Sequence, residues 1–180
     1  MAVALVGLPG SGKSAVGRRL SQRLQWPFID TDSLIEQRIG CSIREYFERE
    51  GEASFRDLEQ EVIAELANAP TGVLATGGGA VLREANRQQL HRHFHVIYLR
   101  SSPEDLFRRL RHDVKRPLLQ VQDPLGRLRE LHAARDPLYR ETAHDIVDTG
   151  RPTVAMLVNL IVMQLEMAGI PVPQPGDPTP

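Results

Sequence analysis

One short stretch near the amino terminus constrains this chain more than any other feature. Residues 7–14 read GLPGSGKS, so two glycines five positions apart are followed directly by Lys13 and Ser14. Glycines let a loop wrap an anion with its own backbone N–H groups, in conformations that a Cβ atom would obstruct. The stretch lies between an apolar run at residues 2–6 and a helical pattern from Lys13, the context that a phosphate-binding loop requires. The sequence therefore predicts binding of a nucleoside triphosphate.

The end of this loop carries the predicted phosphate chemistry. Lys13 is expected to bring a positive charge to the β- and γ-phosphates, and the Ser14 hydroxyl to ligate Mg²⁺. The helix that follows points the positive end of its dipole at the phosphates. We expect the Lys13 side chain to be exposed and to contribute little to the core.

Apolar runs and helical patterns alternate along the rest of the chain. Strands are predicted at residues 2–6, 27–30, 73–76, 96–99 and 145–147. Helices are predicted at residues 13–24, 33–39, 43–49, 53–67, 83–91, 104–111, 125–134 and 153–167. Five strands alternating with helices predict a three-layer α/β fold, in which helices cover both faces of a parallel sheet.

The length of the chain and its last residues define the expected domain organisation. A chain of 180 residues fits one compact domain, which we assign to residues 1–170. The last ten residues contain five prolines and predict a disordered tail over residues 171–180.

Charge and composition exclude several classes of protein. The formal net charge of −1 does not support a general nucleic-acid binder, and a single cysteine cannot form an intrachain disulfide. No basic leader precedes the first apolar run. The longest apolar stretch, residues 154–165, is interrupted by Asn159 and Gln164 and is too short to cross a bilayer. We expect a cytoplasmic monomer whose partners are small molecules, and neither nucleic acid nor a membrane.

Three classes of protein use such a loop: GTPases, motor ATPases and small-molecule kinases. A GTPase would carry a guanine-reading Asn-Lys-x-Asp motif, and the sequence has none. A motor ATPase usually has an acidic pair after an apolar strand, whereas the third predicted strand is followed by Gly77, Gly78 and Gly79. The pattern favours a kinase of small molecules.

Candidate residues for the phosphate acceptor follow along the chain. Asp30 and Asp32 lie at the carboxyl end of the second strand, where open parallel sheets bind ligands. If the strand geometry persists, one carboxylate can meet the metal while the other meets the acceptor hydroxyl. Taken alone, Asp32 is better explained as a helix N-cap, and Arg56 as the i,i+3 partner of Glu59.

Three later stretches have both a ligand-binding and a purely structural interpretation. The glycines at residues 77–79 allow a close approach to the backbone or form a flexible turn. Arg116 lies in an aperiodic stretch, residues 112–124, that is typical of a mobile lid over the phosphates. Arg135 precedes Pro137, where we expect the helix to break, so it could also satisfy a helix carboxyl terminus.

Together these motifs resemble those of the shikimate kinases. The set comprises the loop, Asp30-Thr31-Asp32, GEASFR at residues 51–56, the triple glycine, RPLL at residues 116–119 and RDPLY at residues 135–139. The motifs fall in that family's order and spacing from about residue 3 to residue 168. The resemblance implies transfer of the γ-phosphoryl group of ATP to the 3-hydroxyl of shikimate, in aromatic amino-acid biosynthesis. It also implies the P-loop kinase fold, with a five-stranded parallel sheet in the order 2-3-1-4-5.

The resemblance further implies a role for each matching residue. Lys13, Asp32 and Arg116 would carry the catalysis, with Asp32 placed to take the proton of the attacking hydroxyl. One Mg²⁺ would be bound by Ser14, with Asp30 in its outer shell. Shikimate would be held by Asp32, Arg56, Gly78 and Arg135. ATP would be held by Gly10, Ser11, Gly12, Lys13, Ser14, Ala15, Arg116 and Arg151, with Ala15 standing where the family often has threonine.

Two alternative functions stay open at this point. A gluconate-type or other small-metabolite kinase would share the loop and the size, but it gives no reason for two carboxylate-binding arginines. A nucleotide-binding module without enzymatic activity would need the loop alone, and would need neither Asp32 nor Arg56.

Overall fold

The computed structural model describes residues 1–111, 122–174 and 176–178. The five strands within these residues are β1 (Ala2–Val6), β2 (Phe28–Asp30), β3 (Gly72–Ala75), β4 (His95–Arg100) and β5 (Asp145–Asp148). The seven helices within them are α1 (Lys13–Leu24), α2 (Thr31–Ile39), α3 (Ile43–Asn68), α4 (Glu84–His93), α5 (Pro103–Leu110), α6 (Pro124–Thr142) and α7 (Val154–Met167).

The strands form one parallel sheet in the order β2-β3-β1-β4-β5. β1 lies at the centre, where Val3 is in register with Val73 of β3 on one side and with His95 of β4 on the other. Because all strands run the same way, their carboxyl ends meet at one edge, where such sheets bind ligands. The predicted fold class and strand order are confirmed.

Helices cover both faces of the sheet and create two separate cores. Along β1, Ala4 and Val6 point into one core, which α3 to α6 complete, while Val3 and Leu5 point into the other, which α1 and α7 complete. This alternation is the period of two expected of a strand that is buried on both faces. β1 is therefore held by its two neighbouring strands and by both cores at the point where the phosphate-binding loop begins.

The structure agrees with the prediction at Gly51 and differs from it at Pro137. The chain turns at Gly51 inside α3, between the two helices predicted there, and its φ of 84° is a left-handed value that favours glycine. The predicted break at Pro137 is wrong, because α6 continues through this residue to Thr142. A proline removes one helical hydrogen bond. Tertiary contacts on both sides of Pro137 keep the helix intact, since Asp136 accepts a hydrogen bond from Tyr98 and Tyr139 is buried.

The carboxyl-terminal part packs against the end of α1. α7 buries Leu157, Ile161 and Leu165 in the core that it shares with α1. Beyond it, Val172 packs against the same core, and the carbonyl of Pro173 accepts a hydrogen bond of 2.8 Å from Arg23. The disorder of the tail over residues 171–180 stays a prediction. Among the described helices, none has both the length and the apolar character needed to span a bilayer.

Candidate active site

The glycine-rich loop leaves the central strand and forms one wall of a cleft. The loop ends at Gly12, which precedes α1 with a φ of 93°, a conformation that side chains rarely adopt. The cleft has a volume of about 460 Å³ and lies at the carboxyl edge of the sheet. Its other walls include Asp30, Asp32, Gly77 and Gly78. The structure thus places the predicted phosphate loop and the two aspartates in one cavity.

The expected exposure of Lys13 is wrong. Its side chain is buried, with 8% of the residue exposed, and its Nζ donates hydrogen bonds to the carbonyls of Gly7 at 2.7 Å and Leu8 at 2.9 Å. The loop turns these carbonyls inward around the ammonium group. The positive charge is therefore fixed at the centre of the loop, and Lys13 is one of the residues that line the cleft.

Ser14 and Asp30 form a pair of oxygen donors at the start of α1 and the end of β2. Ser14 Oγ donates a 2.7 Å hydrogen bond to Asp30 Oδ2, while Asp30 Oδ1 accepts one of 3.1 Å from the Ser33 N–H. Asp30, and not Asp32, is thus the N-cap of α2. Hydroxyl and carboxylate oxygens are the donors that Mg²⁺ prefers, so this pair fits the ion that the sequence predicted.

Asp32 lies in the first turn of α2, since the strand ends at Asp30 and the expected continuation of strand geometry is wrong. Helical geometry instead separates the two carboxylates. Burial raises the pKa of Asp32, the negative charge of Asp30 adds to the rise, and the positive charges of Lys13 and Arg56 oppose it. The charges of the phosphate-loop lysine and of an arginine of α3 thus both act on Asp32.

The triple glycine is required for close approach. A Cβ on Gly77 would lie 2.6 Å from Asp32 Oδ1, and one on Gly78 would lie 2.7 Å from Cδ of Pro9 in the phosphate loop. A Cβ on Gly79 would collide with the Arg56 guanidinium. The close neighbours are groups of the protein itself. The missing side chains therefore let Asp32, the phosphate loop and Arg56 pack against the same stretch.

Arg56 is the i,i+3 partner of Glu59 that the sequence predicted, and its contact with shikimate stays a prediction. It donates to Glu59 Oε1 at 2.9 Å as an i,i+3 partner, yet its side chain is only 13% exposed and also lies against Gly79. The rings of Phe47 and Phe55 flank it, with centroids 5.9 and 5.2 Å from Cζ. The ion pair with Glu59 and the two aromatic rings thus restrict the orientation of the Arg56 guanidinium.

Glu59 is a site residue that the sequence analysis considered only as a helix partner. Its carboxylate is 1% exposed, and its Oε2 has no hydrogen-bond partner among the described residues. Burial raises its pKa, while the positive charges of Arg56 and Arg135 oppose the rise. Both guanidinium groups therefore lie close to one buried acid, although they come from α3 and α6.

Two further residues hold the glycine stretch in place. The Thr31 hydroxyl accepts a 3.1 Å hydrogen bond from the Gly77 N–H, and the Tyr139 hydroxyl donates one of 2.6 Å to the Gly78 carbonyl. Both residues lie within the motifs that resemble those of the shikimate kinases, Thr31 beside Asp32 and Tyr139 at the end of RDPLY. Their partners are 46 and 61 positions away, and no local pattern reveals such pairs.

Of the predicted ATP ligands, Arg116 is not described and Arg151 lines a different cleft. Arg116 and most of the predicted lid, residues 112–121, lie outside the described residues. Arg151 is exposed and lines a second cleft of about 560 Å³ between β5 and α7, together with Ile146 and Leu160. The contacts of Arg116 and Arg151 with ATP stay predictions.

Comparison with known proteins identifies the family. The sequence profile of the family described as shikimate kinase matches residues 9–166. The chain belongs to the shikimate kinase family. A shikimate kinase of Paracidovorax citrulli is 61% identical over 178 residues, which are 97% of each chain. One of Ralstonia nicotianae is 56% identical over 171 residues, covering 95% of this chain and 90% of that one. The resemblance that the motifs indicated is confirmed.

Solved structures support the same assignment. A shikimate kinase from Acinetobacter baumannii, solved in complex with shikimate, superposes with a TM-score of 0.86 at 42% identity and 93% coverage of both chains. A gluconokinase from Sinorhizobium meliloti covers 93% of this chain and 92% of its own, with a TM-score of 0.55 and 18% identity. The gluconokinase shares the fold alone. Members of this family are ATP-dependent kinases, so the chain is an enzyme of that class.

Proposed function

We propose that this enzyme transfers the γ-phosphoryl group of ATP to the 3-hydroxyl of shikimate, giving shikimate 3-phosphate and ADP. The observation that carries the proposal is that Asp32 lines the cleft of the phosphate loop together with Lys13, where the charge of Arg56 also acts on it. Shikimate has one carboxylate and three hydroxyls. Planar guanidinium groups are the best partners for a carboxylate, and the charges of Arg56 and Arg135 both act on the buried Glu59.

The division of labour follows from this arrangement. Asp32 accepts the proton of the attacking hydroxyl, and the raised pKa of its carboxyl brings it closer to the range where a base works efficiently. Lys13 and the loop N–H groups offset the negative charge of the transferred group. Phosphoryl transfer needs little else from the protein besides positioning, which the two arginines supply at the far end of the acceptor.

Mg²⁺ is part of the proposal. Ser14 would ligate it, with Asp30 in its outer shell as the hydrogen-bond partner of the Ser14 hydroxyl. No group of three or more His, Cys, Asp or Glu within the described residues could hold a metal. Few protein ligands are typical of Mg²⁺ that arrives with nucleotide phosphates, whose charge it neutralises when bound.

An acceptor panel tests the proposal. ADP release with Mg-ATP is measured with shikimate, gluconate, AMP or no acceptor. We expect shikimate to be the only one of these acceptors that raises ADP release well above the background. Equal release with gluconate or AMP would contradict the proposed acceptor. Release that no acceptor increases would favour a nucleotide-binding module without kinase activity.

Arg56→Lys is expected to raise the KM for shikimate and to leave the KM for ATP unchanged. Lysine keeps the charge, but it cannot make the two-pronged contact of a guanidinium with a carboxylate. Losing one charge-assisted hydrogen bond costs about 1.5–3 kcal/mol, or roughly one to two decades in affinity. Steady-state kinetics with each substrate varied in turn measures the effect.

Arg38→Lys is the matched control for that variant. Arg38 pairs with Glu65 at 2.7 Å, but this ion pair lies on the surface with 47% of the Arg38 side chain exposed. Its replacement should leave both Michaelis constants unchanged. An unaltered KM for shikimate in Arg56→Lys would remove Arg56 from the acceptor site.

A further inference from the structure

The phenol of Tyr139 joins two parts of the acceptor site. Tyr139 is 1% exposed, and its hydroxyl donates a 2.6 Å hydrogen bond to the Gly78 carbonyl. Arg135 lies one helical turn before it on α6, so the two side chains are neighbours on one face of that helix. The phenol thus contacts the backbone of the glycine stretch next to one of the two predicted carboxylate-binding groups.

The packing around the Tyr139 ring restricts the position of its hydroxyl oxygen. The Tyr139 ring lies against that of Tyr98 on β4, with centroids 4.9 Å apart and planes at 37°. The Tyr98 hydroxyl donates to Asp136 of α6 at 2.7 Å, so the helix is attached to the sheet through a second phenol. Burial raises the pKa of Tyr139 to about 12, although the Arg135 charge lowers it, so the phenol remains a donor throughout the working pH range.

A purely apolar role would not require the hydroxyl. Burying a phenol oxygen costs free energy unless it is hydrogen-bonded, and phenylalanine would fill the same space without that cost. Here the hydroxyl donates to the backbone of Gly78, and Arg135 is its neighbour on the same face of α6; both residues are assigned to shikimate. The hydroxyl therefore holds the glycine stretch next to Arg135.

We infer that Tyr139 is a positioning residue for the acceptor carboxylate, an inference that rests on the proposed function. It attaches the Gly78 backbone to the part of α6 that carries Arg135, and thus fixes the glycine stretch relative to that guanidinium. Without the hydroxyl, the Gly78 carbonyl loses its donor. The effect belongs to shikimate binding, because neither Gly78 nor Arg135 belongs to the phosphate loop.

Tyr139→Phe tests the inference against Tyr98→Phe. Both variants lose one phenol oxygen from the same ring pair, but the Tyr98 hydroxyl contacts Asp136, which has no role in the site. We expect Tyr139→Phe to raise the KM for shikimate roughly tenfold, the effect of one hydrogen bond, with the KM for ATP unchanged. Tyr98→Phe should leave both constants within about twofold of the wild type while costing similar stability. Thermal unfolding of both variants supplies the stability comparison.

A double-mutant cycle with Arg135→Lys identifies the route of the effect. If Tyr139 acts through Arg135, the two substitutions together should raise the KM for shikimate by less than the product of their separate effects. A fully multiplicative result, an unchanged KM in Tyr139→Phe, or equal shifts in Tyr139→Phe and Tyr98→Phe would overturn the inference. In each case the wild type would still release ADP with shikimate. A wild-type enzyme without shikimate-dependent ADP release would instead contradict the proposed function.

Discussion

Asp32→Asn is expected to lower kcat by about a hundredfold or more, the typical contribution of a positioned general base, and to raise the unfolding temperature. Asparagine keeps the shape of the side chain but cannot accept the proton of the hydroxyl. The stability gain follows from burial, which raises the pKa of Asp32 above its ordinary value of 3.8. Between the unfolded and the folded pKa the native state binds more protons, so stability falls as pH rises through this interval. Above the folded pKa the full cost is present, and the amide removes it.

Two comparisons complete this test. Asp57→Asn removes a carboxylate whose side chain is 73% exposed on α3, and it should change neither kcat nor the KM for shikimate. The wild-type kcat should decline with acidification at a higher pH than an ordinary aspartate would cause, while the residual rate of Asp32→Asn should not follow that decline. If Asp32→Asn keeps most of its turnover and only binds shikimate less well, Asp32 positions the acceptor and is not the base.

Lys13→Ala is expected to lower kcat by roughly 10²–10³-fold, as for loss of a charge-stabilising donor at the reacting group. The burial of Lys13 adds a cost in stability, because the Gly7 carbonyl loses the ammonium donor, whereas the Leu8 carbonyl keeps the Ser11 N–H. An unpaired buried acceptor costs about 1–3 kcal/mol, so the variant should unfold at a lower temperature and still be folded at 25 °C. Turnover with Mg-ATP and shikimate, together with thermal unfolding, measures both effects.

Arg19→Ala is the control for this variant. Arg19 is an exposed cation on the same helix, outside the lining of the cleft. Its removal should affect neither turnover nor the KM for ATP. Normal turnover in Lys13→Ala would show that the loop binds the nucleotide without taking part in the transfer.

The sequence was sufficient for the fold because the deciding features are local. The strand-loop-helix pattern around Gly12 and the alternation of apolar runs with helices depend on residues close together in the chain. The position of Lys13 could not be predicted in this way, because it depends on how the loop turns the Gly7 and Leu8 carbonyls. Pro137 misled the prediction of α6, since tertiary contacts of Asp136 and Tyr139 outweigh the loss of one helical hydrogen bond.

The candidate site shows the same division. Asp32, Arg56 and the glycines were singled out by motif and spacing. The reason for the glycines lies in neighbours that the sequence does not reveal, since Gly77 faces Asp32 and Gly79 faces Arg56. Glu59 could have been noticed three positions after Arg56, but its burial and its closeness to a second arginine depend on how α3 and α6 meet.

The contact between the end of α1 and the residues after α7 decides what the chain's single tryptophan can report. Trp26 follows α1 directly and lines a cleft with Pro171, Val172 and Pro173. The 12 residues of α1 separate it from the phosphate loop by about 18 Å at 1.5 Å per residue. Intrinsic tryptophan emission should therefore respond to removal of the residues after Gly169, and hardly at all to nucleotide. A titration with ATP would need a fluorophore placed at the opposite end of that helix.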